Sequence, residues 1–165
     1  MRRFISASLF ALAAFACGAC STPDTGARVD PVGPDKTTFG PVAQMLERRC
    51  GSLDCHGETH RNMRLYGYGG LRRAPTMTPE QDMTAAETDA DYDSVIALEP
   101  EKMADVVRER GTFPDRLTLV RKGRGTEDHK GGTRITPGDD ADICLTTWLA
   151  SATNTAACLR TLDER

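Results

Sequence analysis

The stretch CGSLDCHG, at residues 50–57, contains the side chains with the clearest chemical potential. It places thiols at Cys50 and Cys55 and an imidazole at His56. A covalently bound haem uses these groups, because thiols bond to its vinyl groups and an imidazole binds its iron. The usual motif has two residues between the cysteines, and here there are four. The stretch therefore predicts a haem c site with a wider cysteine loop.

Two other interpretations of the same residues stay open from the spacing alone. A disulfide between Cys50 and Cys55 would close a small loop and leave His56 and His60 on the surface. Alternatively, the two cysteines and two histidines could form a zinc site, because two thiolates separated by four residues fall within structural zinc spacing. The disulfide is the stronger of the two, because a thiol and an imidazole on adjacent residues rarely reach one metal ion.

A bound haem iron has a second axial position, and His129 is the first candidate for it. His129 begins the sequence HKGG, whose glycines let the backbone approach a flat cofactor closely. The competing interpretation is a solvated loop histidine. Met77 and Met83, in a predicted loop, rank next as ligands, followed by Met63.

Arginine side chains could pair with the propionates of such a haem, as guanidinium groups do with carboxylates in general. The candidates in the sequence are Arg64, Arg72, Arg73 and Arg121. For any one of them, a solvated surface position is the simpler interpretation.

The N-terminus has the pattern of a bacterial export signal. Arg2 and Arg3 precede a short apolar run, and small residues then precede Cys17 and Cys20. We predict a lipoprotein signal peptide at residues 1–19, lipidation at Cys20 in preference to Cys17, and a flexible tether at residues 20–36. Serine after Cys20 is typical of outer-membrane lipoproteins, so the predicted location is the bacterial envelope, facing the periplasm or the cell surface. The lipid on Cys20 would attach the protein to the membrane.

The remaining residues, 37–165, are predicted to form one small, mostly α domain with long Gly-rich loops. Phe39, Val42, Leu46 and Cys50 recur at helical spacing, which places Cys50 on the buried face of a first helix. Later helices are predicted over residues 87–98, 101–110, 139–152 and 154–162, with Asp139 or Asp140 as a cap. Residues 117–120 could be helix or strand. Residues 56–73 and 122–138 are predicted to be irregular, because they are rich in glycine.

The six cysteines fall into three pairs along the chain, which is typical of a protein folded in an oxidising compartment. Cys144 and Cys158 lie on the last two predicted helices. A short turn would bring these helices together as antiparallel neighbours, so we predict a structural disulfide between the two thiols.

Three sites together resemble cytochrome-c-like domains of exported bacterial proteins, of the type found in planctomycetes and myxobacteria. They are CHG at residues 55–57, HKGG at residues 129–132, and the segment from Leu145 to Trp148. The resemblance extends over about residues 39–152. It implies a cytochrome-c-like fold, haem c on Cys50, Cys55 and His56, and a second histidine at position 129.

Charge and motif content exclude several classes of function. The net charge is −3 and the basic residues are dispersed, so no nucleic-acid partner is predicted. There is no phosphate-binding loop and no triad-like set, so no enzyme activity is predicted. The predicted function is one-electron transfer with a redox partner protein that the sequence does not identify. The alternative is a haem-free, disulfide-stapled lipoprotein that acts as a binding or structural module.

Overall fold

The protein is described here by a computed structural model, which covers residues 31–163. These described residues form one compact unit. The predicted signal peptide, Cys20 and most of the predicted tether lie outside the described residues. No described helix is both long enough and apolar enough to cross a membrane.

The described residues contain six α-helices and no strand, so the prediction of a mostly α domain is confirmed. The helices are α1 (Phe39–Cys50), α2 (Ala85–Ile96), α3 (Pro100–Arg108), α4 (Thr118–Gly123), α5 (Asp140–Leu149) and α6 (Thr155–Arg160). Isolated β-bridges join Ser52 to Gly70 and Tyr66 to Leu71. The segment 117–120, which the sequence left open, begins α4.

Helix α1 is the centre of the fold, because α2, α5 and α6 all pack against it. Phe39, Val42 and Leu46 are fully buried, and Cys50 is 7% exposed. The helical spacing predicted this buried stripe, and the structure confirms it. The stripe ends at Cys50, so the first cysteine of the motif is anchored in the core.

Three aromatic rings pack together at the far end of α1. The ring of Phe39 lies 5.3 Å from that of Tyr92 and 4.9 Å from that of Trp148, centre to centre. The Tyr92 hydroxyl donates a hydrogen bond to the Pro34 carbonyl, and the Trp148 indole donates one to the Asp35 carbonyl. Buried tyrosine and tryptophan need such partners for their polar atoms. The last residues of the predicted tether are therefore attached to the helical domain.

The ends of the helices follow their sequence signals with small shifts. Thr84 and Glu87 form a reciprocal capping box, so α2 begins at Ala85 and not at Glu87. Asp139 caps α5 by accepting a hydrogen bond from the Asp142 N–H, as predicted. After α3, Arg110 and Gly111 both have positive φ, of 54° and 76°, and the helix ends before the predicted glycine.

A disulfide between Cys144 and Cys158 joins α5 to α6, which confirms the predicted pairing. Both sulfur-bearing side chains are fully buried. Their Cα atoms lie 4.7 Å apart. Because α6 is short, this bond and the packing of α6 on α1 and α5 hold it in place.

A buried ion pair attaches the irregular segment after α1 to α2. Two guanidinium nitrogens of Arg72 donate to the Glu87 carboxylate at 2.9 and 2.8 Å, and the Arg73 N–H donates to it at 3.0 Å. Burial opposes ionisation of Glu87, but these bonds and those from Thr84 outweigh it and lower the pKa of Glu87 to about 2. The segment before α2 is thus held by charge-assisted hydrogen bonds and not by regular structure.

Candidate functional site

The loop after α1 turns tightly and brings its three chemical groups to one cavity. The His56 N–H donates to the Cys50 carbonyl at 2.9 Å. The Cys55 and Gly57 N–H groups both donate to the Ser52 carbonyl. These bonds close a tight turn, and Cys50, Asp54, Cys55 and His56 all line the same cavity.

Glycine is required behind this loop because two backbone segments meet there without room for side chains. A Cβ atom on Gly57 would lie 1.9 Å from the Gly51 carbonyl oxygen, and one on Gly70 would lie 2.2 Å from the same atom. The Gly-rich segment around Gly70 therefore packs directly on the back of the cysteine loop. This close approach explains the glycine that follows His56.

The imidazole of His56 is oriented by a backbone carbonyl. Its Nδ1 lies 2.9 Å from the Met63 oxygen. A carbonyl only accepts, so Nδ1 is the protonated nitrogen and, in the neutral ring, Nε2 has a free lone pair. Burial lowers the pKa of His56, and the nearby charges of His129, Arg61 and Lys122 lower it further, whereas the bond to Met63 opposes this. The ring is therefore held in the form that binds metals.

The imidazole of His129 is held in the same way in the loop between α4 and α5. Its Nδ1 lies 3.2 Å from the Gly132 carbonyl oxygen. The ring lies against Gly131, where a Cβ atom would be 2.9 Å from its Cε1. The rings of His56 and His129 have their centres 6.0 Å apart and their planes at 31°. The structure thus brings together His56 and His129, the two histidines that were predicted from the sequence to be axial ligands.

The cavity between them has a volume of about 770 Å³. Besides the cysteines and histidines, its walls include Leu119 and Gly123 of α4 and Ile135. Lys122, Lys130, Arg61 and Arg134 also line it, so its charge is mainly positive. No motif in the sequence marks Arg61, Lys122 or Arg134 as site residues. Their one sequence signal is that they lie within the two Gly-rich segments that carry the histidines, residues 56–73 and 122–138.

These residues fit a haem. Imidazole nitrogens bind transition metals at about 2.0–2.1 Å, and the ring centre lies roughly 1 Å further away, so two imidazoles on opposite sides of one metal have centres about 6 Å apart. The observed separation is 6.0 Å. The two thiols needed for covalent attachment and basic side chains suited to two propionates line the same cavity.

The two thiols of the motif differ in environment, and both are free in the structure. Burial raises the pKa of the Cys50 thiol to about 12, so it stays protonated at neutral pH. Cys55 is only partly buried. Cys55 is therefore the more accessible of the two for a reaction within the cavity.

The other candidate ligands lie in different places. Met63 lines the cavity and is 5% exposed. Met77 has its sulfur 3.8 Å from an Arg72 nitrogen, and Met83 packs against the core beside Gly67, so neither belongs to the cavity wall. His60 lies at the exposed rim. Within residues 31–163, no group of three or more His, Cys, Asp or Glu side chains is arranged to hold a metal ion.

The four candidate arginines for propionates also lie outside the cavity wall. Arg72 pairs with Glu87, as described above. Arg121 pairs with Glu127 at 2.7 Å. Arg64 and Arg73 line a second groove. The cations that do line the cavity are Lys122 of α4 and three residues of the irregular segments, Arg61, Lys130 and Arg134. Their convergence depends on tertiary contacts, which sequence spacing does not reveal.

No family model, curated protein or solved structure matches this chain. The interpretation of the site therefore depends on its own geometry and chemistry.

Proposed function

We propose that this protein is a c-type cytochrome-like electron carrier, anchored by lipid in the bacterial envelope. The observation that supports it best is the pair of imidazoles 6.0 Å apart in a cavity that Cys50 and Cys55 also line. The motif at residues 50–57 and the export signal agree with this proposal, because haem c is attached outside the bacterial cytoplasm. The haem would supply a one-electron couple at its iron.

In this proposal each residue of the cavity has a distinct task. The Cys50 and Cys55 thiols would hold the haem covalently, each through a thioether formed by addition of S–H across one vinyl group. His56 and His129 would bind its iron through Nε2, because the carbonyls of Met63 and Gly132 accept hydrogen bonds from Nδ1 and orient the two rings.

The basic residues of the cavity would stabilise the negative charges of the propionates. Arg61 is already held by hydrogen bonds to the Cys55 and Asp54 carbonyls, at 3.0 and 3.4 Å. Arg134 and Lys130 have no ion-pair partner among residues 31–163. We assign propionate binding first to Arg134 and Lys130, because they are the unpaired cations of the cavity wall.

The deciding experiment is export of the full chain in a host with haem c maturation. We expect a pyridine haemochrome spectrum of the c type and an intact mass increased by one haem. The matched control is Cys50→Ala with Cys55→Ala, which should be exported but should contain no covalent haem. A wild-type mass that shows only a Cys50–Cys55 disulfide would overturn the proposal. It would favour the alternative, a haem-free lipoprotein that acts as a binding or structural module.

A further inference from the structure

A second groove adjoins the cavity but has a different lining. Its volume is about 590 Å³, and it shares Asn62 and Leu98 with the cavity. One wall is the face of α2 with Ala90, Asp93 and Ser94. The opposite wall is the irregular segment before α2, and it contributes the polar side chains of Asn62, Arg64, Tyr66 and Arg73.

Backbone hydrogen bonds hold the positions of these polar groups while their side chains remain available. The Arg64 N–H donates to the Ser94 hydroxyl at 2.7 Å, and the Tyr66 N–H donates to the Asp91 carboxyl at 2.8 Å. The Arg73 N–H donates to Glu87 at 3.0 Å. All three anchors join the segment to α2. These anchors use only the backbone N–H groups of Arg64, Tyr66 and Arg73. The two guanidinium groups and the phenol are therefore left free of them.

The two guanidinium groups in this groove have no ion-pair partner among residues 31–163. By contrast, Arg72, Arg108, Arg116, Arg121, Arg124 and Arg160 all pair with carboxylates. The chain as a whole has a net charge of −3. Arg64 and Arg73 outnumber the one carboxylate that lines this groove, on Asp93, so the groove keeps a net positive charge in an acidic protein. It is therefore suited to carboxylate groups from another molecule.

The apolar content of the groove favours a peptide over a single small anion. Ala90, Ala97 and Leu98 provide apolar contact area in the same groove as the two arginines. A small inorganic anion would pair with the arginines and leave the apolar side chains exposed to water. An extended peptide with acidic side chains would pair with the arginines and also cover the apolar side chains.

We propose that this groove binds an acidic segment of a partner protein, with Arg64 and Arg73 pairing with its Asp or Glu carboxylates. The Tyr66 hydroxyl and the Asn62 amide supply further hydrogen bonds at the same wall. The proposal does not depend on haem, because none of these groups is a cavity ligand. Its location beside the cavity means that a partner bound there lies next to the proposed electron-transfer site.

The test uses the exported full chain and a fluorescein-labelled octaglutamate peptide, with fluorescence anisotropy at low salt. We expect binding that weakens about tenfold or more in Arg64→Ala with Arg73→Ala, since each lost charge-assisted pair reduces affinity. Arg108→Ala with Arg116→Ala removes the same charge from paired surface arginines elsewhere, and should change affinity by less than about threefold. An octalysine peptide should not bind the groove.

Three outcomes would overturn the proposal. One is an equal loss of binding in the control variant, which would indicate a non-specific charge effect. Another is a loss only in Lys130→Ala with Arg134→Ala, which would place the peptide in the cavity. The third is displacement of the peptide by equimolar inorganic phosphate, which would indicate a small-anion site. The visible spectrum of each sample reports haem content separately, so failure of this proposal and failure of the electron-carrier proposal are distinguishable.

Discussion

The rings of His56 and His129 lie 6.0 Å apart, although one residue follows α1 and the other belongs to the loop between α4 and α5. Each ring is oriented by its own backbone carbonyl, from Met63 and from Gly132. Two independent segments therefore hold the two imidazoles close together at one cavity. This relationship leads directly to the first prediction.

We expect His129→Ala to change the iron from low spin to high spin in the haem-loaded protein, because it removes one of the two proposed axial ligands. The measurement is the visible spectrum of the oxidised and reduced protein. His60→Ala is the control, since His60 lies at the rim of the same cavity. An unchanged low-spin spectrum in His129→Ala would eliminate this histidine and make Met63 the leading candidate.

Gly57→Ala tests whether the cysteine loop depends on close backbone packing. Its Cβ atom would lie 1.9 Å from the Gly51 oxygen, so backbone has to move. We expect a loss of more than about 2 kcal/mol in the free energy of unfolding, as for other backbone strain in a packed site. Urea denaturation followed by circular dichroism gives the value.

The control for Gly57→Ala is Gly40→Ala, in the first turn of α1, where a Cβ atom meets nothing within 4 Å. That change should leave stability unaltered or raise it by up to about 1 kcal/mol, because alanine favours helix. Equal stability of the two variants would show that residues 51 and 57 do not pack as the structure describes.

The sequence predicted those parts of the fold that depend on periodic patterns or local caps. The buried stripe that ends at Cys50, the cap at Asp139 and the pairing of Cys144 with Cys158 are of this kind. Each is decided by neighbours in sequence or by two helices joined through a short turn. Periodic spacing is a direct consequence of helix geometry, which is why these predictions succeed.

Periodic patterns and local caps could not predict which carboxyl groups are buried or which basic residues line the cavity. The sequence allows Arg72 as a partner for haem propionates, but its side chain pairs with Glu87 in the core. No sequence motif marks Arg134, yet it lines the cavity. Both lie in or beside segments without a period, where tertiary contacts alone decide which charged groups meet. A charged residue on a mostly polar helix such as α2 also has no local feature that marks it as buried.

The disulfide between Cys144 and Cys158 should contribute about 3 kcal/mol to stability, the value expected for closing a loop of roughly this length. Cys144→Ala with Cys158→Ala should lower the free energy of unfolding by about that amount. The double variant is compared with wild type by urea denaturation without reductant. A difference below about 0.5 kcal/mol would contradict a structural role for this bond.

A pair of buried carboxyl groups lies between α1 and α2, at Glu47 and Asp91. Glu47 is 8% exposed and Asp91 is fully buried. Burial raises the pKa of Glu47 to about 7, against the opposing fields of Arg48 and Arg72. Burial raises the pKa of Asp91 to about 8, the Tyr66 N–H bond opposes this, and the charges of Glu87 and Glu47 raise it further. The Asp91 Oδ2 atom has no hydrogen-bond partner within residues 31–163.

These raised pKa values make the folded protein bind more protons than the unfolded chain between about pH 4 and pH 8. Stability should therefore fall as the pH rises through this window, because each carboxyl must ionise without adequate solvation. Asp91→Asn keeps the acceptor for the Tyr66 N–H and removes the ionisable group, so it should flatten the decline.

The measurement is the urea midpoint at pH 5, 7 and 9, with Asp93→Asn as the control, because Asp93 is exposed on the same helix. We expect wild type and Asp93→Asn to lose stability between pH 5 and pH 9 by roughly 2 kcal/mol or more, on the scale of about 1.4 kcal/mol for each pKa unit. Asp91→Asn should lose distinctly less. The same decline in all three proteins would show that Asp91 does not titrate in this range, and that other groups produce the pH dependence.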